Sequence, residues 1–199
     1  MVMFMTLDGQ AQFPVYPPDP EADPEEDPMW RPRMKSIDAV ILGRKAYQKW
    51  AEFWPTKQND PSASPWSKDF SRFANSIQKI VFSKTLTTAD WEPSRIVRDD
   101  PSAEIRRLKS EKGLDIAIGG GPRIAQAFLE ADLVDEMLLN VFPSIVGRGK
   151  PLFPTADDPD LQEDRIPIGA AGRHDFRLKA ALPQSDGSLF VHYERKVPK

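Results

Sequence analysis

The chain has no cysteine and only two histidines, His174 and His192. Without cysteine there is no disulfide framework, no thiolate zinc site and no thiol nucleophile. Two histidines leave little for a His-based metal site or a serine-type triad, so no metal site is expected. No apolar run approaches the roughly 20 residues of a membrane-spanning helix. The opening residues, Met1 to Gly9, lack the basic region and small-residue cleavage site of a signal peptide. Positive charge is not in excess either: 27 Lys+Arg face 30 Asp+Glu, a formal net charge of −3. No basic stripe marks a nucleic-acid surface. These absences predict a cytoplasmic protein that engages neither membrane nor nucleic acid. Its chemistry must come from carboxylates, amines, hydroxyls or a borrowed cofactor.

What is present is enough for a core: 199 residues, 40% of them hydrophobic. That length predicts one domain over residues 1–199. The charge is localised. Between Pro14 and Arg33 there are seven prolines, and six acids outnumber two arginines. That insert holds −4, and the other 25 cations and 24 acids leave the rest at +1. Proline removes N–H donors and fixes φ, so Pro14–Pro28 reads as a long loop, with a short helix expected around Trp30–Ser36.

Elsewhere strands alternate with helices. Met1–Met5, Ala39–Leu42, Ile80–Phe82, Ile96–Val97, Leu114–Ile118 and Met137–Phe142 read as strands, and Ala39–Leu42 is apolar on successive positions, as strands covered on both faces are. Arg44–Trp50 reads as a helix. Another opens at Pro101 behind an Asp N-cap and runs to about Lys112, where Gly113 ends it. A third opens at Pro122 with Ile124, Ala127, Phe128 and Ala131 on one stripe. Phe176–Ala181 and Leu189–Glu194 flank a turn containing Asp186-Gly187, a hairpin signal. The sum is an α/β fold: a mostly parallel central sheet with helices on both faces, closed by a C-terminal antiparallel hairpin.

Ligands of such sheets bind at the carboxyl ends of the strands. Three strand ends share one chemistry: Gly43-Arg44-Lys45, Ser83-Lys84-Thr85 and Gly119-Gly120-Gly121-Pro122-Arg123. Each offers backbone N–H groups with a cation or hydroxyl, which is what phosphate requires. Three together point to a ligand with several phosphates, such as a nucleotide cofactor. The named phosphate motifs fail. Ile124 stands where the last glycine of G-x-G-x-x-G belongs, and Gly147-Arg148-Gly149-Lys150 leads into Pro151 and not Ser or Thr.

The segment Asp38-Ala39-Val40-Ile41-Leu42-Gly43-Arg44-Lys45-Ala46-Tyr47 resembles the D-x-x-x-x-GRKTY segment of dihydrofolate-reductase-like proteins. Thr6-Leu7-Asp8-Gly9 is similar to their S-L-D-G turn, Trp50 to Pro55 to W-x-x-F-W-P, and Lys79 to Leu86 to K-x-V-x-S-R-T-L. Ile118–Gly121, Leu133-Val134-Asp135-Glu136 and Pro143–Phe153 (P-x-x-x-G-x-G-x-x-LF) continue the series in order. The branch most resembled is the C-terminal reductase domain of riboflavin-biosynthesis proteins (RibD) and its stand-alone relatives.

The resemblance implies a three-layer α/β/α fold and an NADPH-dependent reductase acting on a small heterocyclic or sugar-linked molecule. The first expectation is 5-amino-6-(5-phosphoribosylamino)uracil; the rivals are dihydrofolate and a nucleotide-binding module without turnover. By the resemblance, Gly43, Arg44 and Lys45 hold cofactor phosphates. Ser83, Lys84 and Thr85 meet the adenosine end and its 2′-phosphate. Gly119, Gly120 and Gly121, with Arg123 and Ile124, hold the pyrophosphate, and Gly119–Gly120 is the expected site of a cis peptide. Asp8 is the candidate catalytic residue; Thr6 and Trp54 are candidate substrate contacts. A homodimer is implied too, with Pro143–Phe153 as a candidate interface. Ala46 departs from the family's threonine and removes one hydroxyl. Six acids in the insert disfavour a phosphorylated substrate if they lie over the pocket.

Overall fold

The strand Ile37–Gly43 is buried at Ile37 and at four successive positions, Ala39 to Leu42, so both of its faces are covered. It is the third strand of the chain, after β1 (Val2–Thr6) and β2 (Gln10–Gln12), and is named β3. In this computed structural model residues 1–12, 27–28, 30–153 and 174–196 are described. Of the acidic insert at 14–33, only 27–28 and 30–33 fall among them.

Two compact units form, one from residues 22–121 and one from residues 1–21 with 122–199. In the first, β3 lies between β4 (Gln78–Phe82) and β6 (Asp115–Ile118), and β5 (Ser94–Val97) pairs with β4. All three pairings are parallel. Gly43 is level with Phe82, Phe82 with Val97, and Ile41 with Ile118. The four carboxyl ends therefore share one edge. Helix α1 (Arg44–Lys57) follows β3, α2 (Pro65–Ser76) precedes β4, and α3 (Pro101–Ser110) follows β5.

Helix α1 runs past Trp50 and contains Pro55 in its last turn. The carbonyls freed there are met by α2. The buried Ser71 hydroxyl donates to Trp54 O (2.6 Å) and accepts from Gln58 N (2.9 Å), while Asn75 Nδ2 donates to Pro55 O (3.2 Å). Trp30, Trp50, Trp54 and Trp66 gather around Phe70 with ring centroids 4.5 to 5.4 Å away, and Phe73 closes the cluster. Trp30–Ser36 is a series of turns and not a helix. Asp27 pins its start by accepting from Trp30 N, Arg31 N and Trp66 Nε1.

Helix α3 stops at Ser110, and the next residue, Glu111, is extended. Gly113 is therefore not its cap. A Cβ at Gly113 would lie 2.8 Å from Asp38 Oδ2, the oxygen that accepts the Leu114 amide at 2.8 Å. Close approach, not helix termination, requires glycine there.

The second unit has a mixed sheet in the order β1, β7 (Glu136–Phe142), β10 (Leu189–Arg195), β9 (Phe176–Pro183). β1 and β7 are parallel; β10 is antiparallel to both neighbours, so β9 and β10 are the expected hairpin. Its turn is built on Gly187, at φ +77°. Helix α4 (Pro122–Glu130) buries Ile124, Ala125, Ala127 and Phe128. A short pair joins β2 to β8 (Lys150–Pro151). The histidines are structural partners. Nδ1 of His174 lies 3.0 Å from Asp132, and His192 Nε2 lies 3.0 Å from Glu136 on the neighbouring strand. Among the described residues no helix is long and apolar enough to cross a membrane.

Lys79, in β4, has no exposed surface. Its Nζ donates to Ala74 O (2.8 Å) and Ile77 O (2.9 Å), carbonyls at the end of α2, and lies 4.3 Å from the centre of a Trp91 ring. Burial pulls its pKa down to about 8. Between about pH 8 and 10.5 the folded chain holds fewer protons than the unfolded one, so this group's contribution rises with pH across that window. It is complete above the unfolded pKa and lost as pH falls through the folded one. Urea unfolding of the wild type and Lys79→Met should show the difference in stability moving toward the wild type by roughly 3 kcal/mol across that window. A pH-independent difference would contradict the burial of the ammonium.

Candidate functional site

The carboxyl edge of the parallel sheet brings together all three phosphate-type turns of the first unit. Gly43 ends β3 and is the N-cap of α1, in extended conformation, and no side chain caps this helix. The other two helices of the unit are capped: Ser64 accepts from Ser67 N (3.1 Å) before α2, and Asp100 from Ser102 N (3.0 Å) before α3. The first turn of α1 holds no acid and presents Arg44 and Lys45, both exposed. It is left with the positive end of a helix and no counter-charge of its own.

Ser83 follows β4. Its Oγ accepts from Thr85 N (3.2 Å) and Leu86 N (2.9 Å). The hydroxyl therefore shapes its own turn, and the Thr85 amide is already occupied. Lys84 and the Thr85 side chain project to solvent. Arg44, Lys45 and Lys84 make no ion pair among the described residues.

After β6 the Gly119 amide donates to Ile41 O (3.1 Å), which continues the sheet. Gly120 and Gly121 donate to no partner among the described residues. A Cβ on Gly119 would press on Val40 Cγ2 at 3.3 Å and on the rings of Trp30 and Trp50 at 3.5 Å. One on Gly121 would meet nothing within 4 Å. Gly119 is thus packed from below, while the backbone at Gly121 faces open space that a side chain would occupy. Its peptides are trans; the cis peptide among the described residues is Glu92–Pro93. The chain then enters α4, where Arg123 is half-buried and Ile124 is buried.

The second unit holds Thr6 and Asp8. The buried Thr6 hydroxyl donates to Asp8 Oδ1 (2.5 Å) and accepts from Gln10 N (3.1 Å). Asp8 also accepts from Gly147 N (2.8 Å) and, more weakly, from Val146 N (3.4 Å). The Thr6 hydroxyl and then these amides hold its pKa below the ordinary aspartate value. These bonds favour the carboxylate form of Asp8, which can orient a ligand or accept a proton. Gly147, at φ +65°, turns its N–H toward this carboxylate. Leu7 N donates to Ser144 O and Leu152 N to Gly9 O, so the Thr6–Gly9 turn and the 144–152 segment are stitched to each other.

The match to known proteins runs through these same segments. The chain matches the RibD C-terminal domain over residues 1–166. It belongs to the RibD C-terminal domain family. A curated relative, the uncharacterized protein YyaP of Bacillus subtilis, is 33% identical over 120 residues. The match spans about three fifths of each chain: 60% of this one and 61% of YyaP. A crystal structure of a putative riboflavin biosynthesis protein from Shewanella sp. PV-4 is similar with a TM-score of 0.67 at 21% identity, covering 98% of this chain and 97% of that one. Dihydrofolate reductase from Enterococcus faecalis, solved with NADP(H), has a TM-score of 0.57 at 13% identity over 98% and 95% of the two chains. These structural likenesses establish the dihydrofolate-reductase-like fold.

Two long-range contacts near the site carried no local signal in the sequence. Tyr47, buried on α1, accepts the Trp91 amide through its hydroxyl at 2.9 Å. Trp91 Nε1 donates to Asn75 Oδ1 at 2.8 Å, so the segment after the Ser83 turn is fastened to α1 and α2. The tyrosine of the family's GRKTY segment was legible, but its partner 44 residues away was not. The candidate substrate contact Trp54 packs its ring on Phe53, Trp66 and Phe70, at 4.8, 5.8 and 4.5 Å. Its place is in the aromatic cluster. Among the described residues no three His, Cys, Asp or Glu side chains gather to hold a metal. Replacing Tyr47 with Phe leaves the Trp91 amide without its acceptor. Denaturant unfolding should show a loss of about 1–3 kcal/mol with unchanged m-value.

Proposed function

We propose that this chain is an NADPH-dependent reductase of a small heterocyclic substrate, its dinucleotide held on the carboxyl edge of the parallel sheet. One observation carries the reading. At that edge an uncapped helix start, a turn bearing Lys84 and a bare glycine turn converge, with cations that no carboxylate neutralises among the described residues. Family membership supports the same reading.

The cofactor supplies the hydride, and the residues described supply binding and orientation. Gly43 and the α1 amides, with Arg44 and Lys45, bind phosphate at the positive helix end. Lys84 and the Thr85 hydroxyl meet the 2′-phosphate, a compact dianion that a lysine point charge suits. Gly120 and Gly121 offer amides to the pyrophosphate, and Arg123 and Ile124 belong to the helix start that follows. Thr6 and the ionised Asp8 orient the substrate. 5-Amino-6-(5-phosphoribosylamino)uracil is the first candidate, dihydrofolate the second.

The test is a thermal-shift and fluorescence titration with NADPH and NADH, followed by loss of NADPH absorbance with each substrate. Stabilisation by NADPH and turnover of the aminopyrimidine are expected. Stabilisation without turnover of either would make the chain a binding module, and no stabilisation would overturn the reading. Gly121→Ala separates binding from folding. Its methyl group meets no protein atom, so the melting temperature should hold while NADPH affinity falls at least tenfold. Lys84→Glu should weaken NADPH far more than NADH; equal weakening would remove Lys84 from the 2′-phosphate.

A further inference from the structure

The end of the acidic insert reaches the carboxyl edge of the parallel sheet. One of its six acids, Asp27, is described, and that carboxylate is committed. Its Oδ1 accepts from Trp30 N at 2.9 Å, and its Oδ2 from Arg31 N at 2.7 Å and Trp66 Nε1 at 2.8 Å. The Trp30 carbonyl accepts from Arg33 N and Met34 N at 2.8 and 2.9 Å. The main chain of Trp30 is therefore held at both its amide and its carbonyl. The side chain is buried, at 5% exposure, and packs on Trp50, Phe70 and Phe73 with ring centroids 6.1, 5.4 and 6.1 Å away. One edge of this ring meets the glycine turn. A Cβ built on Gly119 would lie 3.5 Å from Trp30 Cη2 and 3.5 Å from Trp50 Cη2, so Gly119 rests on two indole edges. Each edge is fixed from its own side, Trp50 by α1 and Trp30 by the Asp27 clamp.

We infer that Trp30 is a positioning residue for the cofactor site: the end of the acidic insert supplies the ring edge on which Gly119 rests, and so aims the Gly120 and Gly121 amides. The inference rests on the dinucleotide reading above. Glycine holds its own backbone least firmly, so three in a row leave the shape of the turn to whatever packs against it. The Gly119 amide fixes one end by donating to Ile41 O at 3.1 Å. Beyond it the turn has no side chain to pack, and at Gly121 even a Cβ would meet nothing within 4 Å. Support therefore comes from beneath Gly119, from Val40 and the two indoles. A binding group keeps its full contribution only when held within roughly 0.5 Å of its productive place, and rigid rings can hold a backbone that closely. What the described end of the insert contributes to the site is thus an apolar ring and not its charge.

Isothermal titration of the full chain with NADPH, and hydrogen exchange of the Gly119 amide without ligand, test this on Trp30→Phe and Trp66→Phe. Each variant removes one indole from the same aromatic cluster, and both should lower the melting temperature. Trp66 is not among the atoms nearest Gly119, so only Trp30→Phe withdraws an edge from the turn. That variant should weaken NADPH about tenfold and speed exchange of the Gly119 amide. Trp66→Phe should change NADPH affinity by less than about twofold and leave the amide as protected as in the wild type. If Trp30→Phe does not fold, Trp30→Met, which keeps bulk without a rigid edge, takes its place with the same expectation. Unchanged NADPH affinity in the Trp30 variant would overturn the inference while binding by the wild type stands. So would an equal loss in Trp66→Phe, which would make the effect one of cluster stability. A wild type that binds no NADPH would overturn the inference together with the reading beneath it.

Discussion

Parallel pairing of β3 with both of its neighbours is the constraint from which the candidate site follows. A strand buried at successive positions cannot sit at an exposed face, so it must be covered on both sides and flanked in the sheet. Parallel neighbours then put every carboxyl end at one edge. Each end must turn away into a loop or helix, and each turn leaves amides that the sheet does not use. Gly43, the Ser83 turn and Gly119–Gly121 are neighbours because of the register, not because of any contact among their side chains.

Rigidity beneath the edge comes from polar groups inside the core. Lys79 ties the end of α2 to β4 and lies against Trp91, and Trp91 in turn is held by Tyr47 and Asn75. Ser71 and Asn75 take the last carbonyls of α1, where Pro55 sits. Helices and loop are thereby fixed before any ligand arrives. A cradle made of backbone amides benefits from that, since affinity is lost when binding groups must first be ordered.

Much of this arrangement could be read from residues alone. The apolar runs Ala39–Leu42 and Ile80–Phe82 located β3 and β4 because burial on both faces leaves no polar positions there. Gly119–Gly121 and Asp186-Gly187 announced turns because few other residues fit there. Helix α2 was missed, although Ser64-Pro65 is a start signal and Phe70, Phe73, Ala74 and Ile77 follow helical spacing. The expected helix at Trp30–Ser36 failed because too few residues separate the Asp27 clamp from β3 to propagate one. Lys79 could not be foreseen. A lysine reads as solvated, and its partners at 74, 77 and 91 come from a helix end and a distant loop. Asp8 was legible as a turn residue, but Gly147, which takes one of its oxygens, lies 139 residues on. Local signals identify the turns; only the register and these long-range bonds say which of their donors remain open.

The most direct test of the central claim is hydrogen–deuterium exchange of the whole chain with and without saturating NADPH. The account predicts protection concentrated in three separate stretches, the start of α1, the Ser83 turn and the glycine turn after β6, with little change in the hairpin of β9 and β10. Protection confined to the mixed sheet, or none in those three stretches, would contradict it.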